Sequence, residues 1–147
     1  MTTESINFVK KCQLLFSNRC FLYLTIASFF RFFGGYSLGF LSATFFEHKY
    51  PDNNTQYAYM ASVIVIGGGL PSSFIGGYIS DKFETRYPNI KGLIAGLGAL
   101  AATPFIVITY FLQPPFWYAI ISYYFAYFLA EMWYGPAHAQ INNLFPS

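Results

Sequence analysis

The sequence predicts an all-α integral membrane protein with four transmembrane helices, and three observations predict it. Of 147 residues, 55% are hydrophobic, 22% aromatic and only 10% charged, against roughly 25% charged residues in soluble domains. Four apolar runs, over about 20–46, 57–80, 90–112 and 116–141, each reach the roughly 20 residues that carry a helix across about 30 Å of hydrocarbon. Basic residues divide unevenly between the connecting segments, as they do across a bilayer.

Residues 1–19 precede the first run. Ile6, Phe8, Val9, Leu14, Leu15 and Phe16 around Lys10 and Lys11 suit a short helix lying on the inner leaflet, and a mobile tail fits them equally. Residues 20–147 form the four-helix transmembrane portion. The first run far exceeds the 7–15 apolar residues of a signal-peptide core and lacks a small-residue cleavage site, so it stays in the membrane. Gly35 and Gly39 in the first run, Gly67, Gly68 and Gly69 in the second, and Gly92 and Gly96 in the third are expected to let helices approach closely in lipid. Pro71, Pro104 and Pro136 lie inside the second, third and fourth runs, where each removes a backbone donor and favours a kink. The turn Gln113-Pro114-Pro115 separates the last two runs.

Lys10, Lys11, Arg19, Lys82, Arg86 and Lys91 fall on one side of this arrangement, and Lys49 is alone in the opposite loops. Both termini are therefore expected to be cytoplasmic. Cys12 and Cys20 then sit on the reducing side and have no metal-binding spacing. Asn53-Asn54-Thr55 is a glycosylation sequon in the first outer loop, with Asn53 as acceptor. Tyr50, Tyr57, Tyr59, Trp117 and Tyr118 read as an aromatic belt at the outer interface.

The stretch Gly76-Gly77-Tyr78-Ile79-Ser80-Asp81-Lys82-Phe83-Glu84-Thr85-Arg86 joins the second and third runs. Two glycines admit a neighbouring backbone, an acid closes the helix, and two basic residues hold the loop at the positive face. It resembles motif A of the major facilitator superfamily, Gly-x-x-x-Asp-Arg/Lys-x-Gly-x-x-Arg/Lys. Gly77, Asp81 and Lys82 match it; Glu84 stands in place of the second glycine, and Arg86 comes one residue early. The resemblance implies a facilitator-type six-helix half bundle and a secondary active transporter working by alternating access. Asp81 would there meet the positive end of a helix in the opposite half.

Two ionisable residues lie deep in apolar runs, where burial costs at least ~2.5–3.5 kcal/mol each. Arg31 is about 16 Å above the inner end of the first helix, and Glu131 about 15 Å above the inner end of the fourth. Opposite charges at equal depth can compensate one another as a structural pair, or both can face a cavity that binds a polar substrate or a proton; the two readings are compatible. The facilitator resemblance implies the cavity, because its first and fourth helices line one. On a continuous helix Glu131, Gly135, His138 and Asn142 would share one face, as would Ser28, Arg31, Gly35 and Ser42. His138 is a candidate for proton coupling because histidine is the residue type suited to it, although a hydrogen-bonded packing histidine is the commoner case.

Ala130-Glu131-Met132-Trp133-Tyr134-Gly135-Pro136, with Leu144-Phe145-Pro146, and Arg31-Phe32-Phe33-Gly34-Gly35-Tyr36 resemble the tenth and seventh helices of spinster-like facilitators. That branch implies a lipid-like or other small-molecule substrate and would make the four runs helices seven to ten. On this resemblance the remaining helices and the other half of the transporter are partners, along with membrane lipids, and the four-helix part is expected to be inactive alone.

The net charge of +2 and the absence of a basic patch point away from nucleic acid. No nucleophile elbow, catalytic carboxylate pair, metal-spaced His/Cys cluster or phosphate loop is present, so neither an enzyme nor a cofactor is expected. The rival class is a self-contained four-helix membrane scaffold or assembly subunit whose glycine-rich faces bind partner helices.

Overall fold

The computed structural model describes residues 16–87 and 89–143. Every regular element among them is helical. Helix α1 spans Arg19–Lys49, and a short 3-10 turn at Pro51–Asn53 leads into α2, Asn54–Ile64. A wider π-helical turn, Val65–Gly69, passes into α3, Leu70–Glu84. Helix α4 covers Ile90–Val107 and ends in a second π-turn, Ile108–Leu112; α5, Phe116–Glu131, and α6, Tyr134–Asn143, follow. Three continuous stretches are long and apolar enough to cross a membrane: Phe21–Lys49, Pro51–Glu84 and Ile90–Leu112.

The fourth apolar run is helical but broken. Its two pieces have 16 and 10 residues, and the break at Met132–Trp133 has a local cause. Pro136 has no N–H to give the carbonyl four residues back, which is that of Met132. The other run ends also differ from expectation. The loop after α1 contracts to Tyr50 and the 3-10 turn, and α3 continues a full turn beyond Ser80 to Glu84. Asp81 therefore lies inside the last turn and does not close the helix; Thr85 caps it.

The chain divides into two units, Met1–Ala43 and Thr44–Ser147. In the first, the described part of α1 is apolar around its circumference, with Tyr23, Phe29, Phe30, Phe33, Tyr36 and Phe40 all exposed. Large apolar side chains exposed on every side of a helix suit hydrocarbon as its solvent. Two of its hydroxyls turn back onto the helix itself, Thr25 to the Phe21 carbonyl and Ser42 to that of Leu38.

In the second unit α5 packs along α4 and against both π-turns, while α6 packs along α3. Backbone contact sets these crossings. A Cβ added at Gly76 would collide with the Met132 carbonyl, and one at Gly135 with the Ser73 carbonyl and the Gly77 backbone. At Gly98 it would stand 2.7 Å from the Leu129 oxygen. Close packing thus lies at Gly76, Gly98 and Gly135. Gly35, Gly39, Gly92 and Gly96, whose spacing predicted it, have nothing within 4 Å of such an atom.

One end of this unit is an aromatic core. Phe46 is fully buried against Ile64, Phe116, Ala119 and Ile120, with the Tyr57 ring stacked on it at 4.6 Å and Tyr50 at 5.6 Å. Tyr50 donates to the Pro114 carbonyl, and burial pushes its phenol above its ordinary range, which keeps the donor protonated. Of the five aromatics expected at the outer interface, Tyr59, Trp117 and Tyr118 are exposed, whereas Tyr50 and Tyr57 belong to this core. Gln113 adopts a left-handed conformation, φ 46° and ψ 56°, and ends the third stretch before two prolines that cannot extend it.

Candidate functional site

The end of α3, the loop after it and the start of α4, from Asp81 to Lys91, carry five of the nine charged residues of the second unit. Ser80 is fully buried and donates to the Gly77 carbonyl at 2.8 Å and to Asp81 at 3.5 Å. Asp81, Lys82 and Arg86 are exposed. The Lys82 ammonium lies 5.8 Å from the Tyr78 ring centre, and the Arg86 guanidinium 5.7 Å from that of Tyr87, so each cation rests on an aromatic face. Gly77 faces Gly135, and a methyl on Gly77 would lie 3.7 Å from the Gly135 Cα. The motif-like loop is thereby fastened to α6.

An ion pair completes the loop. Lys91 donates to Glu84 at 2.6 Å, its side chain only 3% exposed against 43% for Glu84. Lys91 sits in the first turn of α4, where the helix dipole opposes a cation. A nearby acid offsets that opposition, and Glu84 supplies it from the position where the motif has glycine. Sequence reasoning singled out Glu84 only as a departure and Lys91 only as a topology marker. A lysine opening an apolar helix, seven residues after an acid and across a turn, was the available signal.

The remaining candidates are dispersed. Glu131 is half-buried at the last residue of α5. His138 is exposed on α6, its ring 4.5 Å from that of Tyr134 in an edge-on contact. The break at Met132–Trp133 separates the two, so the single continuous face that would have joined Glu131, Gly135, His138 and Asn142 is interrupted; the side chain of Asn142 lies outside the described residues. Arg31 is half-buried midway along α1 in the first unit, one residue before the Phe32–Tyr36 stack. Asn53 is half-exposed at the start of α2, and its amide donates to Gln56.

Comparison with known families matches residues 1–113, more than half of the chain, to the Organic Anion Transporter Polypeptide (OATP) family. Arg31 and the whole Glu84–Lys91 loop lie inside that span; Glu131, His138 and the segment 130–136 that carries the spinster-like resemblance lie outside it. No curated protein and no solved structure matches the chain. The matched family is one of transporters and not of enzymes, and the three apolar stretches put the protein in a membrane. On the extent of that match, through all three membrane-length stretches, this chain belongs to the Organic Anion Transporter Polypeptide (OATP) family.

Proposed function

We propose that the protein is part of a facilitator-type secondary transporter that moves an organic anion across the membrane by alternating access. The observation that carries this reading is the family match over residues 1–113. The family's name supplies the substrate class, and the chain supplies a suitable charge: Arg31, midway along an otherwise apolar helix. A guanidinium there is costly unless it has a task, and its fork geometry suits carboxylate and sulfate groups. Glu131 and His138 serve as further polar groups of the translocation path or its coupling. Gly77, Asp81, Lys82 and Arg86 form the loop that biases the conformational balance. The transporter reading is favoured over a membrane scaffold because the match is to a transporter family.

Uptake of fluorescein, an organic dianion, into cells expressing this chain together with the remaining helices of the transporter tests the reading. Uptake above that of control cells is expected, and Arg31→Leu should lower it about tenfold or more at equal surface expression, the scale of one lost charged contact. Absence of uptake for fluorescein and for other organic anions would overturn it.

Cytoplasmic termini are part of this reading, supported by the sequence order of six basic residues in the segments of one side against Lys49 alone in the other. A cysteine introduced at Asn54 is expected to react with a membrane-impermeant maleimide added outside intact cells. Labelling only after permeabilisation reverses the topology. On the outward side the sequon at Asn53 is positioned for the glycosylating machinery, although its amide is engaged with Gln56 at a helix start.

A further inference from the structure

Both membrane-length stretches of the second unit contain a π-turn, and helix α5 reaches each of them with a hydroxyl. In the first, Pro71 has no N–H for the Gly67 carbonyl four residues earlier. The Tyr124 hydroxyl donates to that oxygen at 3.2 Å, and the rings of Tyr127 and Tyr124 lie 3.4 and 3.5 Å from where a Cβ on Gly68 would stand. In the second, the Phe105 carbonyl lies just before the junction of α4 with its π-turn. Ser122, 6% exposed, donates to it at 2.9 Å, sharing it with Thr109 of the same turn. Ser122 and Tyr124 are two residues apart, about 200° around α5, so one helix addresses two neighbours at once.

We propose that Ser122 and Tyr124 are positioning residues, two latches by which α5 holds the π-turns of its neighbours in their wide form. A π-turn carries one residue more than an α-turn; when the latch opens and the turn tightens, the helix beyond it rotates by about 100°. π-Turns inside longer helices occur frequently at functional sites. A consequence of that rotation for transport rests on the transporter reading, whereas the latch itself does not.

Hydrogen–deuterium exchange of the full chain in lipid nanodiscs tests the latch without a substrate. Tyr124→Phe is expected to speed amide exchange over residues 65–70 about 3- to 10-fold, the effect of one lost hydrogen bond, and to leave α4 and α6 unchanged. Ser122→Ala should do the same over 105–112 alone. Pro71→Ala returns a backbone donor to the Gly67 carbonyl, so in that background Tyr124→Phe should have no effect. If Tyr124→Phe alone does not fold, its rescue by Pro71→Ala supports the latch, and failure of rescue overturns it. Unchanged exchange at 65–70, acceleration spread over all helices, or the same acceleration with Pro71→Ala each overturns it. Absence of fluorescein uptake by the unsubstituted protein with these exchange results intact counts against the transporter reading and not against the latch.

Discussion

Gly76→Ala is expected to destabilise the protein by about 1–3 kcal/mol or more, the range for forcing atoms into a closely packed contact, although alanine is the better helix former. The new methyl meets the Met132 carbonyl, a backbone atom that cannot swing aside as a long side chain does. Relief requires α3 and the α5–α6 break to separate, and that carries Gly135 away from Ser73 and Gly77 as well. Gly76→Val should prevent recovery of folded protein. Two controls make the test specific. Gly77→Ala adds a methyl at an ordinary 3.7 Å contact, and Gly96→Ala adds one with nothing within 4 Å; both should unfold at or above the temperature of the parent. Thermal unfolding in detergent, followed by tryptophan fluorescence, measures all three, and equal effects at Gly76 and Gly96 would refute the crossing as described. The glycine that matches the facilitator motif is thus the more tolerant of its pair.

The class of fold was legible because hydrocarbon imposes it. A chain with 10% charged residues and runs of membrane length has few alternatives to helices, since every backbone polar group needs an internal partner. Which glycines touch was legible only at Gly76 and Gly77, where a neighbouring backbone was expected and is met. The Gly-x-x-x-Gly spacing reports only that two small residues share a helix face, and both such pairs have open space beside them, whereas Gly76, Gly98 and Gly135 meet backbone. Contact depends on what crosses that face, which the local sequence does not encode. The prolines were visible as interruptions, but their outcomes diverged: a π-turn before Pro71, an unbroken helix at Pro104, and a break before Pro136. At Pro71 the carbonyl left without its backbone donor, that of Gly67, accepts from Tyr124 of a neighbouring helix.

The sequence singles out the loop between α3 and α4 by Gly77, Asp81, Lys82 and Arg86, and the structure adds the Glu84–Lys91 ion pair beside them. Arg31 and Glu131 were legible for the opposite reason to the glycines: a charge in an apolar run stands out whatever surrounds it. The break at Met132–Trp133 went unseen because a helix that ends at a proline and one that bends there have the same sequence signature.

Removing Glu84 is expected to harm the protein more than removing Lys91, although they form one ion pair. Lys91 is 3% exposed and Glu84 43%. Glu84→Gln leaves an ammonium in a nearly water-free setting at the start of a helix, where the dipole opposes it; Lys91→Met leaves a carboxylate that water already reaches. Breaking a fully buried pair costs about 3–5 kcal/mol. The solvent at Glu84 screens this one, so a loss of about 1–3 kcal/mol is the scale for Glu84→Gln, with less than about 1 kcal/mol for Lys91→Met. The double variant Glu84→Gln/Lys91→Met should regain most of the loss, because no orphan charge remains. Glu84→Gly, which brings the loop closer to the facilitator motif, should be the worst of the set: it removes the acid and loosens the last turn of α3 together. A double-mutant cycle by thermal unfolding reads these values. Additive effects, or a Lys91→Met loss as large as that of Glu84→Gln, would show that the pair does not hold the loop and that its shape comes from the Gly77–Gly135 contact alone.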